Sequence, residues 1–173
     1  YDLLAVRIPN TVTSIGDDAF AYVKNIVYYG NATGSPWGAG YMNGYAESPF
    51  VFEDSTKSSL ICCSYYATSV TIPSSVLQIH QGAFAGCNRL DTVNYIGNTL
   101  DWLSIDFADE SANPLWYAHH LMINGNELTT LTIPNGLTSI KNYSFAGYTG
   151  LTKLIIPSSV TTIGSSAFVS CTG

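Results

Sequence analysis

The sequence predicts a β-rich solenoid, in which short coils stack and lay a parallel sheet along one face. Two observations carry that reading. The stretch Leu151–Gly173 repeats Leu128–Gly150 at a spacing of 23 residues. Four Ile-Pro pairs, Ile8-Pro9, Ile72-Pro73, Ile133-Pro134 and Ile156-Pro157, then set a common frame for distant parts of the chain. Relative to each Pro, an aliphatic residue stands three before (Val6, Val70, Leu131, Leu154) and three after (Val12, Val76, Leu137, Val160). An Ile stands six after (Ile15, Ile79, Ile140, Ile163). A small residue and Phe follow at ten and eleven: Ala19-Phe20, Ala83-Phe84, Ser144-Phe145 and Ala167-Phe168. Gapless agreement at so many positions is no accident, and periods of about 20–50 residues mark solenoids and arrays.

Each part of the unit has a physical reason. Period-two alternation puts Leu154 and Ile156 on one face of a strand and Ile155 on the other. Pro ends that strand because it has no N–H for the ladder. Val-x-x-Ile turns the chain back and supplies two more inward side chains. Ala-Phe closes the coil: the small residue allows close approach and the ring fills the interior. One coil buries too little to fold alone, so each must stack on its neighbours. Equivalent strands then lie about 4.8 Å apart, and rings of the Phe20 kind form an internal ladder.

The run Leu-x-x-Leu-x-Ile-Pro-x-x-Val-x-x-Ile-Gly-x-x-Ala-Phe-x-x-Cys, satisfied almost throughout by residues 151–171, resembles the BspA-type leucine-rich repeat of bacterial surface proteins. The resemblance implies a leucine-rich-repeat solenoid, a right-handed superhelix with only short helical or 3-10 turns and its parallel sheet on the concave face. It also implies an extracellular or cell-surface location and a non-catalytic role in adhesion.

Taken in order, the first regular coil covers about residues 3–25, with a strand at Ile26–Tyr29 after it. Gly30–Tyr45, rich in Gly and holding Pro36 and Trp37, reads as a loop. Phe50–Phe52 reads as a strand and Ser59–Cys63 as a shortened return, so an irregular tract covers about 30–64. The second regular coil and its successor strand cover 67–96. Residues 97–127 then leave the frame, and there a protruding hairpin or short helix is expected. Leu121–Ile123 and Glu127–Thr132 flank Asn124-Gly125, the preferred pair for a type I′ turn. Regular coils return at 128–150 and 151–173. The spacing of the Pro residues gives about seven or eight coils in a single segment spanning 1–173. The chain starts at Tyr1, without Met, and stops inside a repeat just after Cys171, which reads as a piece of a longer protein.

Only 10% of the residues are charged, against roughly 25% in an average domain. The six bases (Arg7, Lys24, Lys57, Arg89, Lys141, Lys153) are scattered and the net charge is −6. Nucleic acid, which needs clustered Lys and Arg, is excluded. No apolar run approaches the roughly 20 residues of a membrane span.

Catalytic and metal chemistry find little footing. Cys87 and Cys171 share one repeat position, with Tyr148 in the coil between, so they are not stacked neighbours. Cys62-Cys63 would form a strained ring, and the set reads as buried thiols. His119 and His120 point apart on any regular element, and no His-x-x-x-His spacing exists. Asp101, Asp106, Asp109 and Glu110 lack the EF-hand pattern. No Gly-x-Ser-x-Gly occurs, and His80 stands at a coil corner where other repeats carry Gly16 or Gly164. No catalytic, cofactor or metal residue is assigned.

Two partner surfaces remain. Trp37, Tyr41, Trp102, Trp116 and Tyr117 concentrate in the two irregular tracts, and exposed Trp and Tyr anchor protein partners or stack on sugars. The outward strand positions form the other: Arg7, Thr71, Asn94, Thr132 and Ile155, beside Ala5, Ser69, Thr92, Thr130 and Lys153. Through these surfaces the resemblance implies adhesion to an extracellular-matrix or cell-surface protein, or a glycan. A spacer that merely carries other domains is the rival reading.

Overall fold

Every Ile-Pro pair closes a strand and opens the same succession of tight turns. In the computed structural model, residues 6–9, 11–16, 18–21, 23, 26–28, 50–53, 56–63 and 67–173 are described. Trp37, Tyr41, the whole Gly30–Tyr45 loop and the Arg7 side chain lie outside that set. The strands are β1 (Val6–Ile8), β2 (Ile26–Tyr28), β3 (Phe50–Phe52), β4 (Ser59–Cys63), β5 (Ser69–Pro73), β6 (Gln78–Ile79) and β7 (Thr92–Ile96), then helix α1 (Thr99–Leu103). After it come β8 (Asp106–Phe107), the 3-10 turns Glu110–Ala112 and Pro114–Trp116, β9 (His120–Ile123), β10 (Asn126–Glu127), β11 (Thr130–Thr132), β12 (Ser139–Ile140), β13 (Lys153–Ile155) and β14 (Thr162–Ile163).

Two ladders run through the stack. On the first face, β5, β7 and β9 pair in parallel, aligning Val70 with Val93 and Leu121, and Thr71 with Asn94 and Met122. On the return face, β4, β6 and β8 pair in parallel, aligning Leu60 with Ile79 and Phe107. The last two coils repeat this geometry, β11 with β13 and β12 with β14. The Pro three before each inward aliphatic accepts a turn bond from it, as in Val12 N–H to Pro9 O and Val76 N–H to Pro73 O. Three further turns close each coil, and they hold two positions in the left-handed region. Nine after Pro stand Asp18, Gly82, Tyr143 and Ser166; thirteen after stand Gly86, Gly147 and Ser170, all with positive φ.

The inward positions are buried as the pattern requires: Val70, Ile72, Val76, Ile79 and Phe84, and again Leu131, Ile133, Ile140 and Phe145. The last coil differs. Leu154, Ile156 and Ile163 occupy the same positions but are 37%, 39% and 52% exposed, because only one side of that coil is covered in the structure. Ile155, expected to face out, is exposed too. Phe145 stacks on Phe168 with ring centres 5.7 Å apart and planes 2° from parallel. The ring ladder does not run on directly to Phe84. Phe84 N–H bonds Ser111 O as Phe145 N–H bonds Ala167 O, which places Ala112 in the ring position of the irregular coil. Trp102 supplies bulk there instead, with its ring centre 6.4 Å from that of Phe145 and 5.3 Å from that of Tyr95.

β4 is buried along its whole length. A register shift against the antiparallel β3 pairs Val51 with Cys62 and Phe52 with Leu60. The extra residue breaks the alternation. Leu60 and Cys63 therefore enter the main core, while Ile61 and Cys62 face a second cluster with Ile8 and Val23 of the first coil.

The tract 97–127 holds both a helix and a hairpin, and it also keeps the frame. Its strand β9 lies in the parallel sheet 28 residues after β7 instead of 23. The hairpin forms at Asn124-Gly125, with φ of 49° and 79° as a type I′ turn demands. Its second arm is shorter than expected. Pairing stops at Leu128, whose N–H bonds Leu121 O; Thr129 N–H then bonds Glu127 O and the chain turns. Thr130–Thr132 instead joins β13, where Leu131 is buried.

β10 thus occupies the edge of β9 that β11 would otherwise take. Neither ladder crosses this point, and among the described residues no backbone–backbone bond joins residues 129–173 to residues before 127. Side chains stitch the seam instead. Trp102 Nε1–H donates to Ser144 O at 2.9 Å and Asn113 Nδ2–H to Tyr143 O at 2.6 Å. Lys141 Nζ donates to Ser104 O at 2.8 Å and sits 3.3 Å from Asp106 Oδ1, while Tyr148 O–H donates to Leu128 O at 2.9 Å.

Candidate functional site

A cleft of about 270 Å³ opens at this seam, lined by Asp109, Glu110, Ser111, Trp116 and Tyr143. Asp109 caps the first 3-10 turn: its Oδ1 accepts from Ala112 N–H (2.7 Å), Ser111 O–H (3.0 Å) and Gly82 N–H (3.3 Å). Pro114 starts the next turn, where a missing N–H costs nothing. Trp116 ends that turn and is 38% exposed. Its backbone is held from behind by Gly147, where a Cβ would come within 2.5 Å of Trp116 Cα. Asn113, fully buried, fixes both walls: Oδ1 accepts from Leu115 N–H and Nδ2 donates to Tyr143 O.

Tyr143 occupies the left-handed position that other repeats give to Asp18, Gly82 and Ser166, at φ 58°. A bulky side chain there costs about 1–2 kcal/mol of backbone strain. The repeat geometry explains the conformation and not the choice of Tyr, and strained residues concentrate where a site needs them.

Of the aromatic candidates, the structure brings Trp116 to the cleft. Tyr117 beside it is half-buried and packs against the core. Trp102 is corrected. It is 0% exposed, because the capping box of Asn98 and Asp101 sets α1 with Trp102 and Leu103 facing inward. A ring so placed offers no contact to a partner. Its indole N–H, which needs an acceptor when buried, finds Ser144 O.

The strand-face candidates Thr71, Thr132 and Lys153 are exposed and Asn94 is half-buried. Asn94 Nδ2 donates to Ser69 Oγ at 3.2 Å along the face. Sequence reasoning missed two residues of these rows, His120 beside Thr92 and Met122 beside Asn94. The signal was present in Leu121-x-Ile123, the alternation of Val70-x-Ile72 without its Pro. His120 Nδ1 lies 2.5 Å from Glu127 Oε1 across the hairpin, and this bond raises the His120 pKa. His119 points elsewhere, with Nδ1 3.4 Å from Thr149 Oγ1.

His80 has partners that the sequence did not reveal. Its Nε2 lies 2.8 Å from Ser59 Oγ and 3.3 Å from Glu53 Oε2, which itself accepts from Ser59 Oγ at 2.8 Å. The acid meets the same ring nitrogen as the serine. A nucleophilic triad needs it on Nδ1, to orient the imidazole as a base, and Ser59 is buried. The acidic run is likewise divided: Asp101 caps α1, Asp106 pairs with Lys141, and Asp109 caps a 3-10 turn. The four cysteines carry free thiols; Cys171 donates to Phe145 O at 3.2 Å, and burial pushes its pKa up. Among the described residues no three His, Cys, Asp or Glu side chains converge to hold a metal ion, and no helix is long and apolar enough to cross a membrane.

Coils of a recurrent pattern, stacked with parallel strands on two faces, define a repeat protein. Six copies of the BspA type leucine rich repeat region match residues 2–30, 55–107 and 121–173, and the chain belongs to that family. No curated protein matches it. Among solved structures, a leucine rich cell surface protein from Faecalibacterium prausnitzii A2-165 is 20% identical with a TM-score of 0.39; 98% of this chain aligns with 57% of that one. A leucine-rich repeat protein from Bacteroides ovatus ATCC 8483 is 16% identical with a TM-score of 0.25, the shares being 97% and 64%. The chain therefore spans less than two thirds of either.

Proposed function

We infer that the chain is a non-catalytic binding segment of a bacterial cell-surface or secreted protein, recognising a protein or a glycan. The observation that carries this reading is Trp116, exposed at the edge of a cleft whose walls are fixed from behind by Asn113 and Gly147. A large aromatic ring held so, and left in water, is the kind of residue that anchors a partner. The outward strand row supplies a second, shallow surface of Thr71, Asn94, Thr132 and Lys153 with His120 and Met122 added. Arg7, Trp37 and Tyr41 belong to the same reading from the N-terminal side.

Family membership supports the surface location and the adhesive role. In this reading residues 1–173 form one segment of about seven or eight coils in a right-handed superhelix, with the strand row on its concave side. Parallel pairing of successive coils supports this, since crossovers between parallel strands are right-handed in about 98% of cases. The burial of Trp102 favours the rival, a spacer, for that residue alone.

The test is a binding screen of the folded chain against extracellular-matrix proteins, host-cell surface proteins and glycans. Binding at or below high micromolar concentration is expected, with loss on Trp116→Ala or on Thr71→Lys/Asn94→Lys. Silence across the screen, with a cooperative melt proving the fold, would establish the spacer reading instead.

A further inference from the structure

We propose that the cleft at the seam accepts a cationic side chain, an arginine or lysine presented by a partner protein. This rests on the binding reading above and names the chemistry that the cleft selects. Its lining combines two aromatic side chains, Trp116 and Tyr143, with two carboxylates, Asp109 and Glu110, and includes no base. The nearby Lys141 is engaged elsewhere, with Asp106 and Ser104 O. The hydrogen bonds to Asp109 all fall on Oδ1, and no described residue bonds or pairs with the Glu110 carboxylate.

Such a lining distinguishes between ligands. A neutral sugar stacked on Trp116 can donate its hydroxyls to the carboxylates but supplies no countercharge. A guanidinium or ammonium satisfies both demands at once, lying against the ring system and donating charge-assisted bonds to the free carboxylate oxygens. A chain of net charge −6 also attracts basic partners at long range. The volume of about 270 Å³ suits one side chain and excludes a folded element. Because the walls come from the two sides of the seam, the regular repeats do not form this cleft.

The experiment titrates the whole chain with acetyl-Gly-Arg-Gly-amide, its citrulline counterpart and methyl glucoside, following indole N–H resonances. Trp102, bonded to Ser144 O, is the internal reference. The Trp116 resonance should move saturably with the arginine peptide and about tenfold less readily with citrulline, the neutral analogue. Trp116→Ala should abolish the response, and Glu110→Gln should weaken it about fivefold at unchanged melting temperature, with the remaining affinity falling as salt is raised. Equal response to citrulline, or response to methyl glucoside with the arginine peptide silent, overturns the cationic ligand and leaves the binding reading intact. If a partner found in the screen binds Trp116→Ala and Glu110→Gln as well as the parent chain, the cleft is the wrong place. If the screen finds no partner and the peptide is silent, both readings fall.

Discussion

Two buried tyrosines offer a controlled test of how hydroxyl groups are treated at the seam. Tyr95 and Tyr148 are 1% and 0% exposed. Tyr148 O–H donates to Leu128 O, whereas the Tyr95 hydroxyl has no hydrogen-bond partner among the described residues. Tyr148→Phe removes a bond worth about 0.5–1.5 kcal/mol and strands a carbonyl, so a loss of about 1–2 kcal/mol is expected. Tyr95→Phe removes only a desolvated, unpaired group, and should raise stability by about 0.5–1 kcal/mol. At about 2–4 °C per kcal/mol for a chain of this size, the two variants should melt on opposite sides of the parent.

Alkaline titration adds a second readout. Burial, with Asp101 contributing, pushes the Tyr95 pKa from 10.0 up to about 12. A raised folded pKa means the contribution is intact below pH 10 and is lost as pH rises from 10 towards 12, because the unfolded chain releases its proton first. Two pH units correspond to about 2–3 kcal/mol. Tyr95→Phe should be spared that part of the alkaline loss. Urea melts between pH 8 and 12, followed by circular dichroism, measure both effects. A Tyr95→Phe variant less stable than the parent at pH 8 would show that the hydroxyl is paired, and the reasoning would be wrong.

Other outcomes follow from the same packing. Phe145→Ala should cost about 3–5 kcal/mol in chemical denaturation, since the ring is fully buried and stacked on Phe168. Gly147→Ala should cost at least about 2 kcal/mol, because φ is +81° and the added Cβ meets the Trp116 backbone; Trp116 fluorescence should change with it. The His120–Glu127 pair raises the His120 pKa above 6.5, so its contribution is complete below pH 6.5 and fades as pH rises through the folded value. Being exposed, it is worth a few tenths of a kcal/mol. Hydrogen exchange at Met122 and Ile123 should therefore be slower at pH 6 than at pH 8 after correction for intrinsic rates, and Glu127→Gln should erase the difference.

The regular coils were legible because each inward residue recurs at a fixed distance from Pro, and burial at Val70, Ile72, Val76 and Phe84 follows directly. The irregular coil was legible only in fragments. Asn124-Gly125 announced its turn, but β9 was hidden by a coil length of 28 and by the lack of a Pro. Of the cleft, Trp116 was visible as an aromatic in an odd tract. Tyr143 was not, since it sits inside a regular repeat and only its positive φ and its neighbours mark it out. Trp102 carried the same sequence signal as Trp116 and has the opposite fate, because α1 turns it inward onto Tyr95, Phe107 and Phe145 while Trp116 ends a 3-10 turn at the surface. The Asn98-x-x-Asp101 box signalled the helix, but the ring partners that receive Trp102 lie in other coils and were not legible locally.

The seam also bears on how the protein opens. In a stacked array each coil is stabilised by its neighbours, so stability is a sum of coil terms and coupling terms between adjacent coils. From β4 to β9, and again from β11 to β14, the coupling includes backbone ladders on two faces; between β9 and β11 it is carried by side chains and the packing around Trp102 and Phe145. That junction is a weak link between two laddered parts of the described chain. Residues 129–173 are therefore expected to part from the rest while the β11–β13 and β12–β14 ladders stay closed, a separation and not a melting. The walls of the cleft come from the two sides of that parting, so a ligand bridging Trp116 and Tyr143 would close the junction and lend both halves one stability.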